Sequence, residues 1–243
     1  MMERKTVIIT GASRGLGKEI ALRFGRAGWG VLVNYLNSRE AAEAVVSEIT
    51  HTGGDAQISK TDVREYPSVK AMADAATARW GRVDVLVNNA GVGTGGLLLK
   101  LKEETWDEVM DTNLKGAFNC TKAISGLMLR QRAGHIINIG SIVGIRGKTG
   151  HAAYAASKAG LIGLTKATAT ELAPRGIQAN CVLPGYMLTD MGEGASEKAR
   201  EDALADNLLK RYSDPAEIAD FFYHLAGMKA VSGQVFNLDS RII

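Results

Sequence analysis

Short apolar runs rich in β-branched residues alternate along this chain with stretches of helical periodicity, and few folds accommodate that rhythm. The runs fall at residues 6–10, 30–34, 55–60, 83–88, 135–140, 178–183 and 235–238, and helical patterns cover 14–27, 39–52, 66–80, 103–131, 151–173 and 215–225. Strand, helix and strand in succession close as right-handed crossovers. The series therefore predicts one doubly wound α/β domain over residues 1–243, with a seven-stranded parallel sheet and helices on both faces. Ligands of such sheets bind beyond the carboxyl ends of the strands. A chain of 243 residues can bury one large core, and no repeat, low-complexity tract or linker divides it.

Composition narrows the function classes. A net charge of +3 with dispersed basic residues gives no stripe for nucleic acid. Cys120 and Cys181 lack metal-ligand or redox spacing, and His51, His135, His151 and His224 are scattered, so no metal is expected. Met1 to Arg4 leads straight into the first strand, without the apolar stretch of a signal peptide, and no apolar run is long enough to span a bilayer. The expectation is a cytoplasmic protein with no membrane association.

Two local patterns carry chemistry. After the first run, Gly11-Ala12-Ser13-Arg14-Gly15-Leu16-Gly17 opens into a helical stretch. A strand, a glycine-rich turn and a helix N-terminus together form an anion site, because free backbone N–H groups and the helix dipole face one point. Farther on, Tyr154 and Lys158 stand four residues apart in an Ala- and Ser-rich helical stretch, downstream of Ser141. Residues at i and i+4 share a helical face. The ammonium is therefore expected beside the phenol, where it lowers the phenol pKa from about 10 toward the range of a general acid. An ordinary surface helix carrying a Tyr and a Lys fits the same spacing.

Thr10 to Gly17, Asn88-Asn89-Ala90-Gly91, Asn113, Ser141, Tyr154 with Lys158, and Pro184-Gly185 with Thr189 together resemble, in order and spacing, the short-chain dehydrogenase/reductases, a family with a Rossmann-like fold. Within that family, Trp106, Asn113-Leu114-Lys115-Gly116 and Leu164-Thr165-Lys166 look most like the 3-oxoacyl-[acyl-carrier-protein] reductases of fatty-acid synthesis. The resemblance implies an NADPH-dependent reduction of a 3-oxoacyl thioester to the 3-hydroxyacyl product. It implies that Tyr154 gives a proton to the carbonyl oxygen and that Ser141 hydrogen-bonds that oxygen. Lys158 would hold the nicotinamide ribose and acidify Tyr154, and Asn113 would anchor a water relay. An Asn within a helix equally bends it or faces solvent.

The same resemblance implies cofactor contacts from Gly11, Ser13, Arg14, Gly15 and Leu16, from Asn34, Ser38 and Arg39 after the second strand, and from Asp62 and Val63 after the third. Asn89, Ala90 and Gly91 follow the fourth strand, Pro184, Gly185 and Thr189 the sixth, and Tyr154 with Lys158 complete the set. Asp62 reads equally as a helix N-cap, and the Asn89 segment as a plain turn. His151 joins Ser141 and Tyr154 as a substrate-facing position, or simply starts its helix. Gly192, Gly194 and a polar helix over 196–210 suggest a mobile lid, with Tyr186, Met187, Met191 and Leu204 lining an acyl channel or serving as ordinary packing.

NAD sites usually place an acid at the end of the second strand. Here Val31-Leu32-Val33 ends in Asn34-Tyr35, with no acid before Glu40, while Arg14, Asn37, Ser38 and Arg39 suit the 2′-phosphate of NADP. Arg132 and Arg175 align with basic positions at which such reductases dock an acidic acyl carrier protein, though Arg near a helix C-terminus is favoured without any partner. Ala155, Ala159, Gly163 and Ala167 permit close helix approach, either within the chain or, as the family implies, between protomers of a homotetramer. Two departures stand out: Asp239-Ser240-Arg241 replaces the common Asp-Gly-Gly, and Arg146-Gly147-Lys148 makes the loop beside Ser141 basic. The alternatives are a reductase of another ketone (acetoacetyl-CoA, a polyketide, a steroid or a small diketone) and a non-catalytic NADP-binding sensor.

Overall fold

Each apolar run becomes a strand: β1 (Thr6–Ile9), β2 (Gly30–Tyr35), β3 (Asp55–Lys60), β4 (Val85–Asn88), β5 (Gly134–Ile139), β6 (Ile177–Leu183) and β7 (Val235–Asn237). The computed structural model describes residues 4–188 and 197–241. The seven strands form one sheet in the order β3-β2-β1-β4-β5-β6-β7, and every pairing is parallel. β1, β2 and β4 are buried at every position, which is why they read as unbroken Val, Ile and Leu rather than as an alternation.

Helices α1 (Gly15–Arg26), α2 (Arg39–His51) and α9 (Pro215–Gly227) cover one face. There Ile20, Phe24, Val45 and Phe222 pack on Val7, Val31, Val85 and Ile137. Helices α3 (Tyr66–Trp80), α5 (Gly116–Gln131) and α7 (Ala152–Leu172) cover the other, with Met72, Ile124, Met128 and Leu172 against Ile8, Leu32, Leu86 and Ile136. Each such fully buried side chain contributes about 1.5–3 kcal/mol of transfer free energy. The chain winds outward from β1 to β3, returns to place β4 beside β1, and winds outward the other way. That reversal opens a crevice at the carboxyl ends of β1 and β4.

Four elements differ from the sequence expectation. The helix expected over 103–131 is divided into α4 (Glu103–Met110) and α5 by a π turn at Asp111–Lys115. The turn admits the inward-facing Asn113 side chain, which bonds the backbone of Val92 instead of continuing a regular helical surface. The polar helix expected over 196–210 is α8 (Glu197–Ala205), with α6 (Val143–Arg146) as an unanticipated short helix before α7. Beyond α8, Asn207 Oδ1 accepts from the N–H of Leu209 at 2.9 Å, a local turn that competes with helix. Strand β4 starts at Val85 rather than at 83, because Val83 gives its N–H and C=O to the Gln131 amide. Among the described residues no helix is long and apolar enough to cross a membrane.

Candidate active site

The glycine-rich turn lies at the carboxyl end of β1. Gly11 and Gly15 adopt φ of 61° and 55°, conformations that side-chain-bearing residues rarely take. At Gly17 a Cβ would fall 2.5 Å from the Gly11 carbonyl oxygen, so helix and turn approach as closely as they do only because that atom is missing. Arg14 is the N-cap residue of α1, whose first turn carries no acid, so the positive end of the helix dipole is uncompensated by any carboxylate there. Leu16 turns its side chain into the core, and Ser13 is half-buried.

Several residues expected to touch a cofactor bond backbone with their side chains. Asn34 is 2% exposed; its Oδ1 accepts from the N–H of Gly11 at 3.0 Å and its amide donates to the Thr61 carbonyl at 3.1 Å. Asn89 donates to the Thr10 and Gly11 carbonyls at 2.8 and 2.9 Å, while the Thr10 hydroxyl accepts from the N–H groups of Asn89 and Ala90. These bonds set the shape of the turn. Asp62 is not an N-cap: Glu65 holds that place, and Asp62 takes a two-pronged hydrogen bond from Arg64 that holds its carboxyl below the usual carboxylate range. Val63 is buried against Gly116. Ser38 and Arg39 are exposed at the start of α2, and Arg39 pairs with Glu43 at 2.8 Å. Gly91 lies against the Asn113 amide, and Gly185 is packed so tightly on Ser213 that no Cβ fits. Thr189 lies outside the described residues.

Ser141 follows β5, and Tyr154 and Lys158 lie on α7, so the sheet brings the three together at its carboxyl edge. Burial raises the Tyr154 pKa above its usual value, and a hydrogen bond from Ser141 draws it partly back. The Lys158 ammonium lies 5.6 Å from the Tyr154 ring centroid and donates to the Ile139 carbonyl oxygen at 2.7 Å. Lys158 itself is 5% exposed, and burial lowers its pKa to about 8, with Cys181 pulling weakly the other way. Tyr154 is thus a neutral phenol that holds its proton at neutral pH. Asn113 does not face solvent: it is buried in the π turn, and its Nδ2 donates to the Val92 carbonyl and to Ser157 Oγ at 3.0 and 3.1 Å.

At the rim, His151 both starts α7 and stands edge-on to Tyr154, with ring centroids 6.3 Å apart. Tyr186 leans on Tyr212 at 5.8 Å, whereas Met187 packs against the core. Leu204 is half-buried on α8; Met191, Gly192 and Gly194 lie outside the described residues. The atypical C-terminus has visible work. Ser240 accepts the N–H groups of Leu208 and Leu209, which ties the segment after α8 to the residues that follow β7, and Arg241 clasps the buried Asp239 carboxylate within that C-terminal segment.

Arg132 and Arg175 lie on neighbouring stretches of backbone, since a Cβ on Gly176 would meet the Arg132 carbonyl oxygen at 2.6 Å. They lie at the start of β5 and β6, however, and Ser141 follows the end of β5. Six residues of strand, about 20 Å, separate them. Among the described residues no group of three or more His, Cys, Asp or Glu side chains could hold a metal ion. The contributions of Thr10, Val92, Ile139 and Ser157 were not anticipated. All four act through backbone or through a hydroxyl bonded to backbone, which leaves no spacing to read.

A family model described as short chain dehydrogenase matches residues 5–200. The chain is 45% identical to the 3-oxoacyl-[acyl-carrier-protein] reductase FabG of Staphylococcus aureus over 241 residues, which is 98% of each protein. It is 44% identical to the 3-oxoacyl-[acyl-carrier-protein] reductase of Synechocystis over 242 residues, 98% of this chain and 97% of that one. Among solved structures, a variant of actinorhodin polyketide ketoreductase with NADPH superposes with a TM-score of 0.92 at 36% identity, covering 99% of this chain and 97% of the other. A dehydrogenase/reductase from Sinorhizobium meliloti gives 0.91 at 35% identity, covering 98% and 94%.

Proposed function

This chain belongs to the short-chain dehydrogenase family, and from that premise we propose that it reduces a 3-oxoacyl thioester to the 3-hydroxyacyl product with NADPH, as a cytoplasmic enzyme of fatty-acid synthesis. The observation that carries the reading is a neutral, half-buried Tyr154 phenol between Ser141 and Lys158, at the sheet edge that also holds the glycine-rich turn.

The residues present fit a phosphorylated dinucleotide. The close approach at Gly17, the acid-free first turn of α1 and the absence of a carboxylate at the end of β2 all favour an anion there. Gly11, Ser13, Gly15, Ala90 and Gly91 would hold the phosphates and adenosine side, Arg14, Ser38 and Arg39 the 2′-phosphate, and Pro184, Gly185 and Thr189 the nicotinamide end. When bound, the reduced nicotinamide supplies the hydride. Tyr154 holds its proton at the phenolic oxygen and gives it to the carbonyl oxygen of the substrate. Ser141 donates a hydrogen bond to that oxygen as charge builds on it. The Lys158 ammonium then stabilises the phenolate left behind until a proton returns. His151, standing against Tyr154, would face the acyl group. Arg39 and Glu43 form an exposed pair that a 2′-phosphate can outcompete.

The experiment is a spectrophotometric assay of cofactor oxidation with acetoacetyl thioesters on acyl carrier protein and on coenzyme A, using NADPH and NADH. Turnover with NADPH and preference for the carrier-bound substrate is expected; turnover with no carbonyl despite tight NADPH binding sinks the reading. Docking of the carrier at Arg132 and Arg175 is part of the proposal, and loss of the carrier preference in Arg132→Ala with Arg175→Ala tests it. Assembly into a homotetramer is supported by an outward-facing stripe of Ala159, Gly163 and Ala167 on α7 and by an apolar groove of about 460 Å³ between Leu114, Phe118, Gly160 and Leu164. A monomeric sedimentation coefficient would contradict it.

A further inference from the structure

One buried hydroxyl joins the elements that surround the reactive phenol. Ser157 is 0% exposed; its Oγ donates to the carbonyl oxygen of Tyr154 at 2.8 Å and accepts from Asn113 Nδ2 at 3.1 Å. Asn113 in turn binds both the N–H and the C=O of Val92, at 2.8 and 3.0 Å. We propose that Ser157 is a positioning residue for Tyr154, locking the turn of α7 that carries the phenol to the π turn and to the loop after β4.

The chemistry of the donor set supports this. An amide nitrogen carries two hydrogens, and those of Asn113 go to Val92 and to Ser157, so removing the Ser157 oxygen leaves a buried N–H without an acceptor. The Ser157 hydroxyl also bonds back to its own helix three residues earlier, a contact that bends helices when nothing opposes it. Here Asn113 opposes it from the other side. Tyr154, Ser157 and Lys158 share one face of α7, at i, i+3 and i+4. That face is pinned twice: Lys158 reaches the Ile139 carbonyl on β5, and Ser157 reaches the π turn. With both ties present the phenol cannot rotate about the helix axis independently of the cofactor-side loop. With one gone it can, and displacements near 1 Å at a reacting group cost on the order of 100-fold in rate.

The inference rests on the reductase reading above, and the test separates the two. Ser157→Ala should lower kcat on the order of 10- to 100-fold while the Kd for NADPH stays within about twofold. The double variant Asn113→Ala, Ser157→Ala should be no slower than Asn113→Ala alone, because the two side chains act through one joint. Independently of turnover, ¹³Cζ-tyrosine NMR, with the Tyr154 resonance assigned by its absence in Tyr154→Phe, should show its titration midpoint displaced by about half a pH unit or more in Ser157→Ala. Wild-type kcat with an unmoved Tyr154 titration overturns the proposal, and so do losses that multiply in the double variant. If Ser157→Ala fails to fold by circular dichroism, Ser157→Cys replaces it, since a thiol of similar shape is a weak acceptor. If the wild-type protein reduces no carbonyl, the reductase reading fails, and the Tyr154 titration still decides the role of Ser157.

Discussion

The two ends of β5 each hold a buried base, on opposite terms. At its start His135 is 2% exposed, and its Nε2 accepts from Asn180 Nδ2 at 2.8 Å. The orientation of that amide is fixed because Asn180 Oδ1 accepts the N–H of Gln234 at 3.0 Å. Burial lowers the His135 pKa to about 4. Beyond its other end Lys158 is equally buried, donates to the carbonyl of Ile139, the last residue of the strand, and is lowered to about 8. The same penalty on charge therefore drives one base out of the physiological range and the other into it. One end of the strand is inert scaffold; the other keeps a group that titrates where an enzyme works.

The largest effect expected at the functional end belongs to Tyr154. Tyr154→Phe removes the one proton that the proposed reaction draws from the protein, so kcat should fall by about 1,000-fold, within the span typical of general acids, with NADPH affinity little changed. Fluorescence titration of NADPH beside the oxidation assay checks both halves. Retained turnover would erase the functional difference between the two ends.

Lys158 sharpens the comparison because its cost and its use have opposite signs. A lysine whose folded pKa lies near 8 against an unfolded value near 10.5 is charged in both states at pH 7, and the unfolded chain keeps its proton longer as pH rises. Stability from this group should therefore increase by about 1 kcal/mol between pH 7 and pH 9. Lys158→Met should abolish most turnover and yet raise stability at pH 7, by up to about 3 kcal/mol. Urea unfolding of both proteins at the two pH values measures it; a less stable Lys158→Met would show that the bond to Ile139 outweighs the desolvation of the ammonium.

Much of this arrangement was legible in the chain because it is local. The spacing of Gly11, Gly15 and Gly17 announces a tight turn on a helix, and Tyr154 with Lys158 announces one helical face; apolar runs separated by helical periodicity announce the parallel sheet. What could not be read depends on partners distant in sequence. Lys158 bonds Ile139 across 19 residues, Asn113 bonds Ser157 across 44, and Asn89 bonds Thr10 across 79. Helical spacing placed the amine beside the phenol; its bond to a carbonyl at the end of the neighbouring strand had no local signal. The π turn escaped for a similar reason, since nothing in Asp111-Thr112-Asn113 signals that one side chain will turn inward to clasp Val92.

His135 gives the smallest effect and isolates the scaffold end. Its folded pKa near 4 lies below the unfolded value near 6.5, so the neutral ring favours the fold above pH 6.5, and that contribution drains away as pH falls toward 4 while the unfolded chain takes up a proton. At pH 5 the loss should reach about 2 kcal/mol relative to pH 7. Glutamine can still accept from Asn180 through its carbonyl oxygen but cannot bind a proton in this range. His135→Gln should therefore flatten the acid limb of stability between pH 6.5 and 4 and leave kcat at pH 7 unaltered. Guanidinium unfolding at pH 7 and pH 5, beside the oxidation assay, reads both. An acid limb as steep in the variant as in the parent would assign the acid sensitivity to other groups. A fall in kcat would mean that the start of β5 speaks to the site after all.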